Sequence, residues 1–228
     1  MMTTALGLTR QEHPLASAAC ALVLMFCGPG AQAQPAPGSA GTELDTRLAQ
    51  AQADPKLADP LLKTGRKVAA FCANCHGDNG NSAKPEVPNL AGQNTAYLLE
   101  QLRQFGDGRR RNEFMQSMIK AMSSDEKLGA ALFYASQPVT PRPTTRPDLL
   151  AQGGDIYQKN CFRCHGTQGM GNEKIARIAG QQPEYLVLSI RRYRSGSGVR
   201  TDPLMASNTR LLSDAQVDAV AAYVSALR

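Results

Sequence analysis

The sequence predicts an all-α fold in which one small helical unit is used twice. Three observations carry this: a helix-favouring composition, an internal repeat, and apolar residues spaced for helices rather than strands. Ala, Leu, Gln and Arg are plentiful, aromatic residues are 5% and Trp is absent. That balance disfavours a large β-sandwich or barrel. With 42% hydrophobic and 19% charged residues the chain is too apolar and too weakly charged for a disordered one. Its 228 residues suit one or two domains at about 100 to 200 residues each.

The repeat has an offset of 88 to 90 residues: His76 pairs with His165, Gly92-Gln93 with Gly180-Gln181, Tyr97 with Tyr185, Met115 with Met205 and Tyr134 with Tyr223. Each unit is small for a core of its own and needs a staple or a cofactor. Within the units, Tyr97, Leu98, Leu102 and Phe105 match Tyr185, Leu186, Ile190 and Tyr193, one helical face in each. Leu128, Ala131, Leu132 and Ala135 match Val217, Val220, Ala221 and Val224 at i, i+3, i+4 and i+7. Ser213 with Gln216 and Ser123 with Glu126 have capping-box spacing, although an extra residue in the first unit leaves Ser124 as an alternative cap. A further helix runs into each Cys pair, from about Asp59 and about Asp148.

These signals divide the chain. Residues 1–33 read as an export signal: Arg10 precedes an apolar stretch from Leu15 to Cys27, Gly28-Pro29-Gly30 ends it, and Ala31-Gln32-Ala33 offers a cleavage site. The alternative is an uncleaved anchor, but a stretch of 13 residues falls short of the roughly 20 that span a bilayer. Residues 34–57 read as a loosely ordered leader with a short helix around Leu44 to Ala51, and 58–136 as the first domain. Residues 137–147 carry Pro138, Pro141, Pro143 and Pro147 and form a semi-rigid linker, followed by the second domain at 148–228.

Cleavage removes Cys20, Cys27 and His13, so all four remaining Cys and both remaining His lie in two Cys-x-x-Cys-His motifs: Cys72, Cys75 and His76, then Cys161, Cys164 and His165. In this motif two thiols one helical turn apart can form thioethers with the vinyl groups of one haem, and the adjacent His becomes an axial ligand of its iron. Two motifs in an exported chain therefore predict two covalently attached haem c groups. A zinc site would need both Cys pairs to converge and would leave both His idle. A disulfide redox motif belongs at a strand-to-helix turn, which this chain does not offer. With no His to spare, the second axial ligand falls to Met sulfur. Only Met115 and Met205 match across the units, lying 39 and 40 residues after their His, with Met118 the rival in the first unit.

At this level of detail the chain resembles the dihaem cytochrome c4 family, two class I cytochrome c domains in tandem. The resemblance covers about residues 58–227 and rests on CANCHG and CFRCHG, on PNLAGQ and RIAGQ, on a Tyr-Leu helix followed by basic residues and a Met, and on a closing Ala-Tyr helix. It implies a periplasmic electron carrier, with peripheral membrane association, passing electrons from a bc1-type complex towards a terminal oxidase. It also implies that the Pro88 carbonyl accepts a hydrogen bond from His76; Ala176 occupies the matching position in the second unit. The aromatic that packs the first helix on the last is Tyr157 in the second unit but falls on Val68 in the first, with Phe71 a nearby substitute.

The formal charge of +6 is offset by four haem propionates. Arg109, Arg110 and Arg111, with Arg191, Arg192, Arg194 and Arg200, concentrate the positive charge. They read as a solvated face, as propionate partners (Arg110 and Arg200) or as a docking surface for an acidic redox protein. An exported haem protein without an aromatic-rich surface is not expected to bind nucleic acid. Iron saturated by His and Met offers no position to a small-molecule substrate, so the chain reads as a carrier and not an enzyme. The alternative is the cytochrome subunit of a periplasmic dehydrogenase complex.

Overall fold

The computed structural model describes residues 39–141 and 143–228. The proposed export signal lies outside the described residues. Ten α-helices and no strand occur among those described: α1 Ser39–Ala53, α2 Pro55–His76, α3 Thr95–Asp107, α4 Glu113–Ala121, α5 Ser124–Ala135, α6 Leu150–Asn160, α7 Phe162–His165, α8 Pro183–Ser195, α9 Pro203–Thr209 and α10 Asp214–Ala226. No helix among the described residues is long and apolar enough to cross a membrane. The two repeats pack into one compact unit.

The first half has a helix beyond the repeat. Where the sequence suggests a loose leader, α1 runs the full length from Ser39 to Ala53 because Leu44, Leu48 and Ala51 share one face and are buried in the core of the first half. Arg47 pairs with Asp125 of α5, and Asp45 with Arg103 of α3, which fixes its rotation. Asp54 then separates α1 from α2 by accepting the Lys56 N–H at 2.9 Å, with Pro55 at the first helical position. The helix entering the first Cys pair therefore starts at Pro55 rather than near Asp59.

In each half the helix leading to the Cys pair crosses the final helix. The first crossing is made by glycine: a Cβ on Gly65 would sit 2.0 Å from the Gly129 carbonyl oxygen. Neither Phe71 nor Val68 acts as the packing aromatic there. Phe71 is 55% exposed, and the final helix supplies Tyr134, whose hydroxyl reaches the Ala69 carbonyl at 3.4 Å. In the second half Tyr157 does fill this role, fully buried and 5.5 Å from the Tyr223 ring. Both capping boxes form, at Ser123 with Glu126 and at Ser213 with Gln216. Ser123 and not Ser124 is the cap.

The halves meet through the repeated Ala-Gly-Gln segments. Gln93 accepts the Arg177 N–H and donates to the Arg177 carbonyl, both at 2.7 Å. In return Gln181 accepts the Asn89 N–H at 2.7 Å and donates to the Asn89 carbonyl at 2.9 Å. Arg177 lies 88 residues after Asn89, as Gln181 lies 88 after Gln93, so the contact is a pseudo-two-fold exchange. Val139 of the linker lies against both Gly92 and Gly180, close enough that a Cβ on either would press on it at 2.7 and 3.0 Å.

Two substitutions test this packing. Gly65→Ala should destabilise the protein by about 3 kcal/mol, because backbone rather than a mobile side chain blocks the new methyl. Ser213→Ala should cost about 1 kcal/mol through loss of the α10 cap. Denaturant unfolding measures both, and equal effects would contradict the tight α2–α5 crossing.

Candidate functional site: two histidine–cysteine motifs and the arginines between them

The helices α2 and α7 end on His76 and His165, and each is followed by a glycine, Gly77 and Gly166, at φ of 78° and 79°. That left-handed backbone is readily adopted by glycine alone. The turn lets the following loop fold back beneath the imidazole. His76 Nδ1 lies 2.9 Å from the Pro88 carbonyl and His165 Nδ1 lies 2.9 Å from the Ala176 carbonyl. Replacing Pro by Ala leaves the bond unchanged, since only the carbonyl is used. A carbonyl can only accept, so Nδ1 carries the proton and Nε2 keeps a free lone pair. Burial holds both imidazoles below their ordinary pKa, opposed by these same carbonyl bonds. Each histidine is thus neutral, oriented and ready to ligate a metal through Nε2.

The four thiols are unpaired. Cys72 and Cys75 share the last turns of α2, whereas Cys161 occupies the break between α6 and α7 and Cys164 lies on α7. Burial pushes the Cys161 thiol up to about 11 and raises Cys72 as well. Attacking or zinc-binding cysteines require the opposite shift. Among the described residues, no group of three or more His, Cys, Asp and Glu side chains is placed to hold a metal ion, so the Cys pairs do not form a shared zinc site.

Met115 and Met205 occupy the same structural position. Each is the third residue of a short helix, its N–H bound to the capping side chain: Asn112 Oδ1 at 2.9 Å and Asp202 Oδ1 at 2.8 Å. Both are half-buried. Met205 lines a cavity of about 190 Å³ together with His165, Cys161 and Cys164. Met118 is half-buried one turn further along α4; its counterpart in the second half is Asn208.

The same cavity continues into the first half, where Pro88, Leu90, Leu98, Tyr97 and Arg110 line it. At this junction Arg110 and Arg200 form an antiparallel β-bridge, and the Arg111 N–H donates to the Val199 carbonyl at 2.8 Å. Arg110 donates to Gln101 Oε1 at 2.8 Å and to the Tyr185 hydroxyl at 2.9 Å; Arg200 donates to the same hydroxyl at 2.6 Å. Arg110 also lies over the Phe105 ring at 4.4 Å, and Arg200 over Tyr193 at 5.1 Å. Burial alone would raise the Tyr185 pKa, but the two guanidinium groups outweigh it and hold the phenol well below its ordinary value.

No ion pair formed among the described residues includes Arg110 or Arg200. Arg200 is 9% exposed and its buried Nε has no partner there. Burying a cation without a counter-charge costs several kcal/mol, so this junction is built for anionic groups that the polypeptide does not supply. Haem carboxylates are groups of the charge that this requirement calls for.

Comparison with known proteins agrees with this construction. Residues 62–131 match the cytochrome c family model, and residues 148–224 match the model described as cytochrome c oxidase, cbb3-type, subunit III. Cytochrome c4 of Thiocapsa roseopersicina is 33% identical over 188 residues, covering 77% of this chain and 96% of that one. The chain belongs to the cytochrome c4 family. As a member it has the all-α tandem cytochrome c fold and carries two covalently bound haem c groups. The crystal structure of reduced recombinant cytochrome c4 from Pseudomonas stutzeri superposes with a TM-score of 0.67 at 28% identity, over 73% of this chain and 98% of that one. A protein of Thiomonas intermedia (strain K12) named thiosulfate dehydrogenase electron acceptor is 34% identical over 173 residues, covering 69% of this chain and 79% of that one.

The structure redistributes the arginines that the sequence groups together. Arg110 and Arg200 turn inward, Arg109 is bound to Asp107 and Glu100, and Arg191 and Arg194 are bound to Asp214. Sequence reasoning found the Ala-Gly-Gln repeat but not the roles of Gln93 and Gln181, and it found Tyr97 and Tyr185 only as helix-face residues. Their hydrogen bonds reach into the other half, so local spacing carries no trace of them. Arg200→Gln should lower the stability of the holoprotein by about 3 kcal/mol by leaving buried carboxylates without their cation. It should also lower a haem reduction potential, because the ferric state gains from losing a nearby positive charge. Redox titration and denaturant unfolding followed at the haem band read these two effects.

Proposed function

We propose that this cytochrome c4 family member is an exported, periplasmic electron carrier in which Cys72, Cys75 and His76 hold one haem and Cys161, Cys164 and His165 the other. Met115 and Met205 complete the two axial pairs. Bound haem iron supplies one-electron exchange between its ferrous and ferric states. The polypeptide orients each imidazole through a backbone carbonyl, keeps it neutral by burial, and offers Arg110 and Arg200 to the carboxylates. The observation that carries the reading is the continuous cavity from the His165 pocket to Pro88 and Leu98 in the first half. It supports direct electron exchange between two centres in one chain. Axial positions filled by His and Met leave no site for a substrate, which supports a carrier rather than an enzyme.

Electrons are proposed to arrive from a bc1-type complex and leave to a terminal oxidase, the match of the second half to an oxidase-subunit cytochrome family supporting the latter. A second reading has a specific observation behind it. The relative named thiosulfate dehydrogenase electron acceptor supports a dehydrogenase as the dedicated donor, with this chain as its cytochrome partner.

Replacing Cys72 and Cys75 together by Ala should remove one of the two haems, measured as iron per chain, and the Cys161/Cys164 pair the other. Met115→Ala and Met205→Ala should each remove about half of the near-infrared sulfur-to-iron band; loss on Met118→Ala instead would reassign the first ligand. The reduced protein should pass electrons to a terminal oxidase and show no peroxide or thiosulfate turnover. Because several surface arginines are already paired with acids, the transfer rate should fall only modestly, by about twofold to threefold, between low and physiological salt. Copurification with a dehydrogenase, and failure to reduce a freely diffusing partner, would favour the second reading.

A further inference from the structure

The Ala-Gly-Gln glutamines do more than join the halves, because of where they grip. The Pro88 carbonyl and the Asn89 N–H belong to one peptide group. That carbonyl lies 2.9 Å from His76 Nδ1, and that N–H donates to Gln181 Oε1 at 2.7 Å. The Ala176–Arg177 peptide repeats the arrangement in mirror relation: its carbonyl lies 2.9 Å from His165 Nδ1 and its N–H donates to Gln93 Oε1 at 2.7 Å. Each glutamine is pinned by its own amide, which donates to the carbonyl of the residue it grips, and by the N–H of the following residue, Asn94 to Gln93 at 3.0 Å and Gln182 to Gln181 at 2.9 Å. The partners are two backbone N–H groups and one backbone C=O, so the amide orientation is unambiguous. Gln93 and Gln181 are both buried.

We infer that Gln181 tunes the haem of the first half and Gln93 the haem of the second, each through the peptide that holds the other half's axial histidine. Accepting a hydrogen bond from a peptide N–H polarises that peptide and makes its carbonyl a stronger acceptor. A stronger acceptor at Nδ1–H gives the imidazole more imidazolate character and a more basic Nε2, which favours ferric over ferrous iron. The glutamines are positioning residues: neither touches the histidine. The chain is wired so that each half's ligand field depends on its docking with the other. This inference rests on His76 and His165 being the axial ligands.

The test uses the holoprotein with histidine labelled by nitrogen-15. In the reduced, diamagnetic state of the exported form, His76 and His165 should give two axial-ligand signals. Their absence in the wild type would defeat the ligand assignment itself. With that established, Gln181→Met should move the His76 Nδ1–H resonance and raise the potential of the first haem, leaving His165 and the second haem in place. The ferrous-to-ferric ratio at fixed applied potential should rise about threefold, equivalent to about 28 mV at 59 mV per decade. Gln93→Met should do the reverse, moving only His165 and the second haem, and it serves alone should the first variant fail to accumulate. Val139→Ala loosens the same interface without touching either peptide and should move neither potential. Unchanged signals in both glutamine variants, a shift in the same half as the substitution, or equal shifts of both haems with Val139→Ala behaving alike would overturn the inference.

Discussion

Two arginines, Arg110 and Arg200, sit side by side between the halves of this protein with no acidic side chain among the described residues to neutralise them, and the junction is organised around that fact. A buried guanidinium loses several kcal/mol of hydration, and the tyrosine and glutamine hydroxyl and carbonyl groups around it recover only part of that. The deficit is one of charge rather than of hydrogen bonds. The haem carboxylates that a cytochrome c4 family member carries are groups of the charge that would meet it. Halves of about 80 residues, each with a small apolar core, would gain from such pairing what their own hydrophobic packing does not supply.

The repeat preserves this chemistry while varying the packing that supports it. Both histidines end a helix, meet a backbone carbonyl at the same distance and are followed by a glycine in the same conformation. Around them the solutions diverge. A glycine meets the final helix at both crossings, Gly65 against the Gly129 carbonyl and Gly153 against the Ala219 carbonyl, but only the second adds a Tyr157–Tyr223 ring contact. The first half carries α1 against its core, and its Cys pair lies within one unbroken helix where the second has a break at Cys161.

The same division explains why arginine content is a poor guide to partner binding here. Seven arginines read from sequence as a solvated face, as propionate partners in Arg110 and Arg200, or as a docking surface. In the structure two serve the interior and three are engaged by neighbouring carboxylates, so little of that charge is left to steer an acidic partner over distance. Exposed ion pairs of this kind contribute little stability each, but they do cancel the long-range field that a docking surface needs.

The all-α repeat, the two Cys-x-x-Cys-His motifs, the matched Met115 and Met205 and the capping serines were legible because each is a local pattern. Helical periodicity, thiol spacing and cap chemistry all operate within a few residues, and the repeat doubles every signal. The length of α1, the glycine contacts at the helix crossings, the inward turn of Arg110 and Arg200 and the exchange of Gln93 and Gln181 were decided only by tertiary structure. Each depends on residues 58 to 103 positions apart meeting in space, and an amide or guanidinium on a chain gives no sign of which distant group it will reach. The sequence determined what chemistry the chain can hold; the docking of its halves determined which side chains attend to which histidine.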